Sequence, residues 1–445
     1  MKLKKFLNFG WLKNNIIISN SLWLLSEKTL LLSLGLLISI MFARLLGPEE
    51  FGRYNYLLSL IALFIPIFSL GIGNILLREL SEHPSITASL LASCFKARFI
   101  TAFFVSVGVI VAAFYIYGAN WKPQLIAMLL FAHIFNAFEV YERWFQHQSD
   151  IKKLVYWRSG CFILFAALKL LLIYLYQSYI PLIMIMGLEV IIKNSGYYVL
   201  YKKYTSEKIM PKFNRSIFID VFSQSKYLIF SSLAAVIYLK IDILMLEYMV
   251  GDEAVGIYSV AARLSEVWYI LPQIVITALF PSLISLAKNN NVRYLKVLQQ
   301  SFDYLFMSAL ILSICIFIAS PWLIEMLYGQ AYNQASTILQ IHIFASLFIY
   351  MRVMLSQWLV SNKLAKFSLF SQLSGAVSNI SLNLLLIPLY GPLGAAIASV
   401  ISYAVSAYFC LFCFKQTRSI AFMMTKSIFF IFRLNKIKWV IFKFT

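Results

Sequence analysis

The sequence predicts an all-α polytopic membrane protein with about twelve transmembrane helices in two six-helix lobes. Of the 445 residues, 61% are hydrophobic and only 13% are charged, whereas a soluble domain is about half apolar and about a quarter charged. Long apolar runs approach the roughly 20 residues that a membrane span needs. We place the expected spans near residues 21–43, 54–77, 99–118, 124–143, 159–178, 181–201, 227–249, 256–284, 303–323, 336–360, 368–388 and 393–414.

The basic residues predict the orientation of these spans. The net charge is +20, from 38 Lys and Arg against 18 Asp and Glu. With the amino terminus placed in the cytoplasm, 29 of the 38 basic residues fall in inner segments and three, Arg44, Arg53 and Lys122, in outer turns. Cytoplasmic loops carry such an excess, and basic segments contact anionic lipid headgroups. The charge balance therefore predicts two cytoplasmic termini and a membrane partner, with no reason to expect nucleic acid.

Three short sequences recur at nearly the same offset and predict two related halves. GPEEFGRY at 47–54 and GDEAVGIY at 251–258 share two glycines, a glutamate and a tyrosine at matching positions. LLLIYLY at 170–176 resembles LLLIPLY at 384–390, and a proline stands in the second span of each half, at Pro66 and Pro272. Because six spans is an even number, both halves point the same way. Their pseudo-twofold axis is expected along the membrane normal, as in parallel-repeat transporters.

The repeat sets the expected boundaries. These are a cytoplasmic amphipathic N-terminus (1–20), an N-lobe with spans 1 to 6 (21–205), a basic cytoplasmic linker (206–226), a C-lobe with spans 7 to 12 (227–414) and a basic cytoplasmic or interfacial tail (415–445). The repeated glycine segments are expected to be structural outer turns, since glycine permits a positive φ. Pro66 and Pro272 are expected to bend their helices, and matching interruptions in two halves point to a transport pathway.

The sequence lacks the motifs of common enzymes and cofactor sites. It contains no GxxxxGK[ST], HExxH, GxSxG or EF-hand sequence. Its four histidines are scattered, and its five cysteines do not have the paired spacing of a zinc site. No predicted loop is long enough for a catalytic domain. We therefore expect a transporter without a cofactor or a metal, and not an enzyme.

Ionisable residues inside the predicted spans are candidates for function, because charge within a bilayer is costly. Ordinary roles are expected for some of them: Glu189 with Lys193 and Arg263 with Glu266 as same-helix pairs, Glu139 with Arg143 as a pair, and Glu27 and Lys28 as residues that reach the inner interface.

Lys169, Lys240 and Arg352 lack a close same-helix partner at the right spacing. If they face an aqueous cavity between the halves, they could hold a phosphate, arginine through a bidentate fork and lysine as a point charge. The candidate cavity cations are Arg263, Arg352, Lys240, Lys169 and Lys28. The candidates for carrying a coupling proton or cation, or for balancing charge, are Asp242, Glu247, Asp303, Glu139 and Glu27.

Four stretches resemble the Wzx-type polysaccharide flippases, which share a superfamily with the MATE exporters and the lipid II flippases. They are ARLLGPEEFGRYNYL (43–57), IDILMLEYMVGDEAVGIYSVAARLSE (241–266), LPQIVITALFPSL (271–283) and NLLLIPLYGPLGAAIASVISY (383–403). The resemblance covers about residues 15–415. Arg263 and Asp242 match recurrent positions of the family's pattern, whereas Lys240 and Arg352 match only by location in the spans.

The resemblance implies a function and its partners. It implies a multi-pass transporter of the bacterial inner membrane with a partly cationic central cavity. The cargo it implies is an undecaprenyl-diphosphate-linked oligosaccharide, such as an O-antigen unit of lipopolysaccharide, moved from the cytoplasmic to the periplasmic leaflet by alternating access. Coupling to an ion gradient, and work beside other polysaccharide-assembly membrane proteins, belong to the same expectation.

The sequence leaves one other function open and disfavours two more. A MATE-like cation-coupled antiporter of small molecules is the main alternative, and the acidic span residues permit it. A polymerase or ligase of a glycan pathway would need a long soluble loop with arginines, which the sequence does not contain. A lipid II flippase is expected to carry two further helices, and the tail is too basic to supply them.

Overall fold

A computed structural model describes residues 16–118, 120–148, 151–205, 213–362 and 364–430. The first 15 residues of the predicted amphipathic N-terminus, residues 206–212 of the predicted linker and residues 431–445 of the predicted tail lie outside the described part. Within the described residues every regular element is a helix, so the all-α fold class is confirmed.

The chain divides into two compact units, residues 1–236 and 237–445. The helices that lie wholly in the first unit are α1 (Ile16–Ala62), α2 (Ile65–Ser69), α3 (Gly73–Glu82), α4 (Thr87–Tyr117), α5 (Trp121–Ile134), α6 (Glu139–His147), α7 (Ile151–Tyr176) and α8 (Tyr179–Tyr204). The next helix, α9 (Arg215–Met249), begins in the first unit and ends in the second.

The second unit continues with eight further helices among the described residues. They are α10 (Asp252–Glu266), α11 (Ile270–Asn289), α12 (Asn291–Tyr328), α13 (Ala335–His342), α14 (Ala345–Ser361), α15 (Ala365–Tyr390), α16 (Pro392–Ala407) and α17 (Arg418–Ile428). With 11 residues, α17 is shorter than the roughly 20 that a span needs.

Ten described helical stretches are long and apolar enough to cross a membrane, so the chain is a multi-pass membrane protein. The first of them, Glu27–Glu82, has 56 residues and contains the predicted span at 54–77 and most of the predicted span at 21–43. The predicted span at 256–284 is not among the ten, and a 3-10 turn at Val267–Tyr269 divides it into α10 and α11. The count of twelve spans stays a prediction.

Glycine forms the repeated turn in both units. Gly47 has φ 75° and ψ 174°, and it interrupts the helical conformation inside α1. Gly251 has φ 121° and ψ 177° and caps the start of α10. This region of backbone space is essentially restricted to glycine. The repeated sequence therefore encodes the same backbone conformation twice, as the structural-turn interpretation requires.

The helix that follows each turn is broken just before its proline. In the first unit, turns at Leu63 and Phe64 precede α2, and Pro66 lies in the first turn of that helix. In the second unit, the turn at Val267–Tyr269 precedes α11, which contains Pro272 in its first turn. Proline is well tolerated there because the first backbone N–H groups of a helix have no intrahelical acceptor.

Each unit has its own apolar core. In the first unit, side chains of α3, α4, α6, α8 and the start of α9 pack together, with Phe145 and Tyr197 almost fully buried. In the second unit, α12 and α14 pack against α17 through residues that include Phe302, Met354 and Met424. Large apolar side chains are also exposed on the outside of long helices, as on α4, where Phe104 is 68% exposed.

Candidate functional site

Asp242 lies at the centre of a buried polar cluster in the second unit. It is 3% exposed. Its Oδ2 accepts a 2.7 Å hydrogen bond from the Tyr258 hydroxyl and a 2.5 Å hydrogen bond from Ser399 Oγ. Its Oδ1 accepts a 2.7 Å hydrogen bond from Asn383 Nδ2. The neutral donors come from α10, α16 and α15, so four helices meet at one carboxylate.

A second asparagine completes this group. Asn383 Nδ2 also donates to Asn379 Oδ1, one helical turn away, at 3.1 Å. The amide NH2 group of Asn383 therefore donates to two oxygens, one of the Asp242 carboxylate and one of the Asn379 side-chain carbonyl. We call Asp242, Tyr258, Asn379, Asn383 and Ser399 the Asp242 cluster. Among the described residues, none of its hydrogen bonds comes from a cation.

Several polar atoms in and near the cluster are buried without a hydrogen-bond partner among the described residues. They are Asn383 Oδ1, Asn379 Nδ2, His342 Nδ1 and Ser259 Oγ. The His342 ring lies edge-on to the Tyr258 ring at 5.9 Å between centroids. An unpaired buried polar atom costs about 1–3 kcal/mol. Buried polar atoms without a partner are rare in a passive core, so we treat the cluster as a candidate site.

Arg352 is buried within the second unit, where its guanidinium donates hydrogen bonds to neutral groups. It is 8% exposed. Its Nη1 atom donates to Ser371 Oγ at 2.6 Å, to Ser406 Oγ at 2.9 Å and to the Ser406 carbonyl at 3.1 Å. These bonds join α14, α15 and α16. No carboxylate of the described residues pairs with this guanidinium, and its role in cargo binding stays a prediction.

The Arg263–Glu266 pair predicted from helical spacing is not formed. Glu266 is the last residue of α10 and pairs instead with Lys240 of α9, at 3.8 Å. Lys240, which was expected to lack a partner, therefore has one. Arg263 is half-buried, and its side chain makes no hydrogen bond or ion pair with any residue that the structure describes.

The remaining acids of the second unit have different surroundings. Asp303 is 8% exposed and accepts hydrogen bonds from Gln299 Nε2 at 2.8 Å and Ser427 Oγ at 2.6 Å. It thereby fastens the C-terminal helix α17 to α12. Glu247 is half-buried near the end of α9. The structure does not bring either residue into the Asp242 cluster.

In the first unit, Glu27 is buried and forms an ion pair with an arginine. It is 6% exposed. Arg158 donates to both of its carboxylate oxygens, from Nε at 2.7 Å and from Nη2 at 2.6 Å. The same guanidinium binds Glu142 at 2.8 Å. The expectation that Glu27 snorkels is therefore wrong, whereas its neighbour Lys28 is exposed.

Glu139 also has an unexpected partner. It accepts a 2.8 Å hydrogen bond from Arg98, which is 4% exposed, and not from Arg143. Arg98 Nε further donates to the Phe68 carbonyl at 3.3 Å, next to the broken helix that holds Pro66. The predicted spans begin at residues 99 and 159, which leaves Arg98 and Arg158 in the predicted inner segments. In the structure, the helices α4 and α7 begin several residues earlier and include both arginines.

Lys169 and Glu189 form an ion pair between α7 and α8. This contact replaces the predicted same-helix pair of Glu189 with Lys193. Lys193 is half-buried and makes no side-chain hydrogen bond or ion pair with the residues that the structure describes. Each unit thus contains a half-buried cation that has no direct anionic partner among the described residues. This cation is Lys193 in the first unit and Arg263 in the second.

A family model described as polysaccharide biosynthesis protein matches residues 17–287. The chain belongs to this family. A model described as MatE matches residues 228–385. The family assignment confirms the resemblance that the four sequence stretches indicated.

Two relatives support the same family placement. The capsular polysaccharide biosynthesis protein CapF of Staphylococcus aureus is 24% identical, over 83% of this chain and 92% of that protein. The probable flippase AglR of Haloferax volcanii is 28% identical, over 43% of this chain and 41% of that protein. The first of these relatives is named for polysaccharide biosynthesis, as the family is, and the second is named as a probable flippase.

Two solved structures share the fold of this family member. The lipid II flippase MurJ, in an inward closed conformation, has a TM-score of 0.69 at 16% identity, covering 95% of this chain and 93% of that one. An inward-facing multidrug resistance MATE family transporter has a TM-score of 0.67 at 14% identity, covering 89% and 96%. At these identities the likeness concerns the fold alone.

Proposed function

We propose that the protein is a flippase for lipid-linked oligosaccharides. Its cargo is an undecaprenyl-diphosphate-linked repeat unit of a surface polysaccharide, either an O-antigen or a capsule-like glycan. It moves this unit from the cytoplasmic to the periplasmic leaflet by alternating access. The observation that carries the proposal is the family match over residues 17–287, and the relatives named as flippases support it.

Arg263 is the residue that we assign first to the cargo. It lies twelve residues into α10, it is half-buried, and no described carboxylate neutralises it. A guanidinium presents a rigid fork of donors that matches two phosphate oxygens. Within a membrane such a charge is costly unless it faces water or binds an anion. A diphosphate headgroup supplies the anion that the surrounding protein does not.

Asp242 is the residue that we assign to ion coupling. Oxygen atoms are the ligands that hard cations prefer, and Asp242, Asn379 and Ser399 offer oxygens within one buried cluster. Rotation of the Asn383 side-chain amide by about 180° would point Oδ1, instead of the NH2 group, at Asp242. This Oδ1 atom has no hydrogen-bond partner among the described residues. A cation then takes the place of the donated protons between the oxygens. Protonation of Asp242 is the competing form of coupling.

Five other charged candidates are assigned to charge balance or to packing between helices. Glu27 and Glu139 already bind arginines, and Asp303 fastens α17. Lys169 and Lys240 bind glutamates. We propose no direct cargo contact for these five residues.

The topology that accompanies this function places both termini in the cytoplasm of a bacterial inner membrane. The distribution of basic residues supports that orientation, since 29 of 38 fall on one side of the predicted spans. Twelve spans in two repeats are consistent with it. Other polysaccharide-assembly membrane proteins are expected partners that receive the translocated unit.

A second candidate function is cation-coupled export of small molecules. The MatE match over residues 228–385 includes the whole Asp242 cluster except Ser399. A buried acid in that region suits an antiporter as well as a flippase. The two functions differ in cargo, and therefore in what accumulates when the protein is absent.

A deletion with complementation tests the proposal. The gene is deleted in its native strain, surface polysaccharide is analysed on a gel, and lipid-linked intermediates are extracted. Loss of surface glycan, with repeat units trapped on undecaprenyl diphosphate at the cytoplasmic side, supports flipping. Normal surface glycan with new sensitivity to cationic dyes contradicts it and favours the exporter.

A further inference from the structure

The last described helix, α17, has one face that is fixed to the second unit. Met424 and Ser427 are buried on this face. Ser427 Oγ donates a 2.6 Å hydrogen bond to Asp303 Oδ1, and Gln299 Nε2 donates to the Met423 carbonyl at 3.0 Å. Both of these partners belong to α12. Because α17 is held against α12 in this way, its opposite face has a defined position on the surface of the unit.

The opposite face of α17 carries cations and phenylalanines in one row. Arg418, Phe422 and Lys426 are spaced four residues apart and are exposed, so they lie on the same side of the helix. Phe422 is 56% exposed. Lys415, just before the helix, and Phe429, just after it, are exposed as well. We call these five residues the α17 face.

The α17 face has an excess of positive charge. After Glu325 the sequence contains ten Lys and Arg and no Asp or Glu. Asp303, which lies beneath α17, is only 8% exposed. The Nε atom of Arg418 donates to a neutral group, the Phe412 carbonyl, at 2.9 Å. The surface that this face contacts is therefore expected to be negatively charged.

The mixture of residue types indicates which kind of surface that is. Exposed phenylalanine is disfavoured in bulk water, and lysine and arginine are disfavoured in the hydrocarbon core of a bilayer. Both kinds of side chain are favoured together at the boundary between headgroups and acyl chains. An anionic headgroup layer strengthens binding by about fivefold for each nearby Lys or Arg. A membrane surface with anionic lipid thus satisfies the whole face.

We infer that the α17 face binds the anionic headgroup layer of the membrane. Phe422 and Phe429 insert among the lipids, and Lys415, Arg418 and Lys426 lie beside the charged headgroups. The inference depends on the chain being a membrane protein and not on the proposed cargo. An acidic surface of a partner protein would supply the charge without a lipid environment for the two phenylalanines, and the test below separates the two.

A reporter at Ser419, an exposed residue of α17, tests the inference in the full chain. Ser419→Cys carries an environment-sensitive dye, and the more accessible native thiols are removed by Cys315→Ser, Cys410→Ser and Cys413→Ser. The protein is placed in nanodiscs of phosphatidylcholine with or without phosphatidylglycerol. We expect phosphatidylglycerol to shift the dye emission to the blue, and about 1 M salt to reverse most of that shift.

Two triple variants then identify the cations responsible. One removes the cations of the α17 face: Lys415→Gln, Arg418→Gln and Lys426→Gln. We expect it to reduce the phosphatidylglycerol-dependent shift by about half or more. The other removes the same charge from exposed residues of the first unit: Lys152→Gln, Lys202→Gln and Lys203→Gln. We expect this matched control to leave the signal at Ser419 unchanged.

Three results would overturn the inference. Water-like emission in both kinds of nanodisc would show that the face does not contact lipid. An equal blue shift without phosphatidylglycerol would show insertion without recognition of charge, and equal losses in the two triple variants would show a general charge effect. Thermal unfolding of each variant checks that a lost signal is not caused by misfolding. The salt dependence of the labelled protein tests the charge recognition without any change to the cations.

Discussion

The Tyr258 hydroxyl donates a 2.7 Å hydrogen bond to Asp242, and this bond joins the repeated turn to the buried acid. Tyr258 belongs to the GDEAVGIY segment, which was expected to be a structural turn only. The glycine at its start does form the turn, while the tyrosine reaches the Asp242 cluster. One short segment therefore sets both the backbone conformation and a hydrogen bond at the candidate ion site.

Asp242→Asn is expected to abolish ion-dependent transport while the protein remains folded. The amide keeps the shape of the side chain but loses the charge that attracts a cation or a proton. We expect the rate of transport to fall by about tenfold or more, measured as surface polysaccharide in the complemented deletion strain. Asp303→Asn is the control, because it removes the charge of another buried acid outside the cluster. Equal loss in both variants contradicts a special role for Asp242.

Gly47→Ala and Gly251→Ala are each expected to destabilise the protein by about 1–3 kcal/mol, since both glycines occupy a backbone region that alanine avoids. Neither site has an atom within 4 Å of an added Cβ, so crowding does not contribute. Thermal unfolding in detergent measures the effect. The controls are Gly35→Ala and Gly108→Ala, which are helical and equally uncrowded. They are expected to be neutral or slightly stabilising; equal destabilisation in all four would contradict the argument.

Arg352→Ala is expected to lower the thermal stability, whereas Arg352→Met is expected to preserve most of it. Alanine leaves a cavity and removes hydrogen bonds from a charged donor, each worth about 1.5–3 kcal/mol. Methionine fills similar volume, and an apolar replacement for a buried charge is often nearly neutral. Surface polysaccharide made by the stable Arg352→Met variant then decides the role. Normal amounts indicate an anchoring residue, and loss indicates contact with cargo.

Glu27→Gln is expected to destabilise the first unit by about 2–4 kcal/mol, because it leaves the Arg158 guanidinium with only Glu142 as a counter-ion. The double variant Glu27→Gln/Arg158→Met is expected to recover part of this loss. A double-mutant cycle on thermal unfolding measures the coupling. Additive effects would show that the two side chains do not interact.

The sequence predicts the fold well because its signals are physical requirements of a bilayer. The length of the apolar runs and the asymmetry of the basic residues reflect the bilayer. The glycines Gly47 and Gly251 reflect the local backbone conformation. None of these signals depends on how neighbouring helices pack. The helical interruptions near Pro66 and Pro272 also follow from local chemistry. Span ends are less certain, since α4 and α7 begin several residues before the predicted spans.

The pairing of charges was not predictable from helical spacing. The pairs Lys169–Glu189, Arg98–Glu139 and Arg158–Glu27 all join different helices. Spacing along one helix says which residues can meet, but packing between helices decides which do. Partners close in space and distant in sequence therefore replaced each predicted same-helix pair.

The Asp242 cluster was only partly visible in the sequence. Asp242 itself was a candidate, and Asn383 and Ser399 lie in one of the four stretches that resemble the family, but neither these two residues nor Asn379 had been singled out. Their signal was the presence of amides and a hydroxyl in otherwise apolar spans. Comparison of the repeats adds a further clue, because Ile38 occupies the position 204 residues before Asp242. The acid therefore distinguishes the second half from the first.

The most direct test of the proposed function is leaflet-resolved flipping in proteoliposomes. Purified protein is reconstituted with a labelled undecaprenyl-diphosphate oligosaccharide, and the label exposed in the outer leaflet is followed with and without a sodium or proton gradient. We expect protein-dependent transfer that a gradient accelerates in wild type but not in Asp242→Asn. Transfer no faster than in protein-free vesicles, under either gradient, would contradict the assignment as a flippase for lipid-linked oligosaccharides.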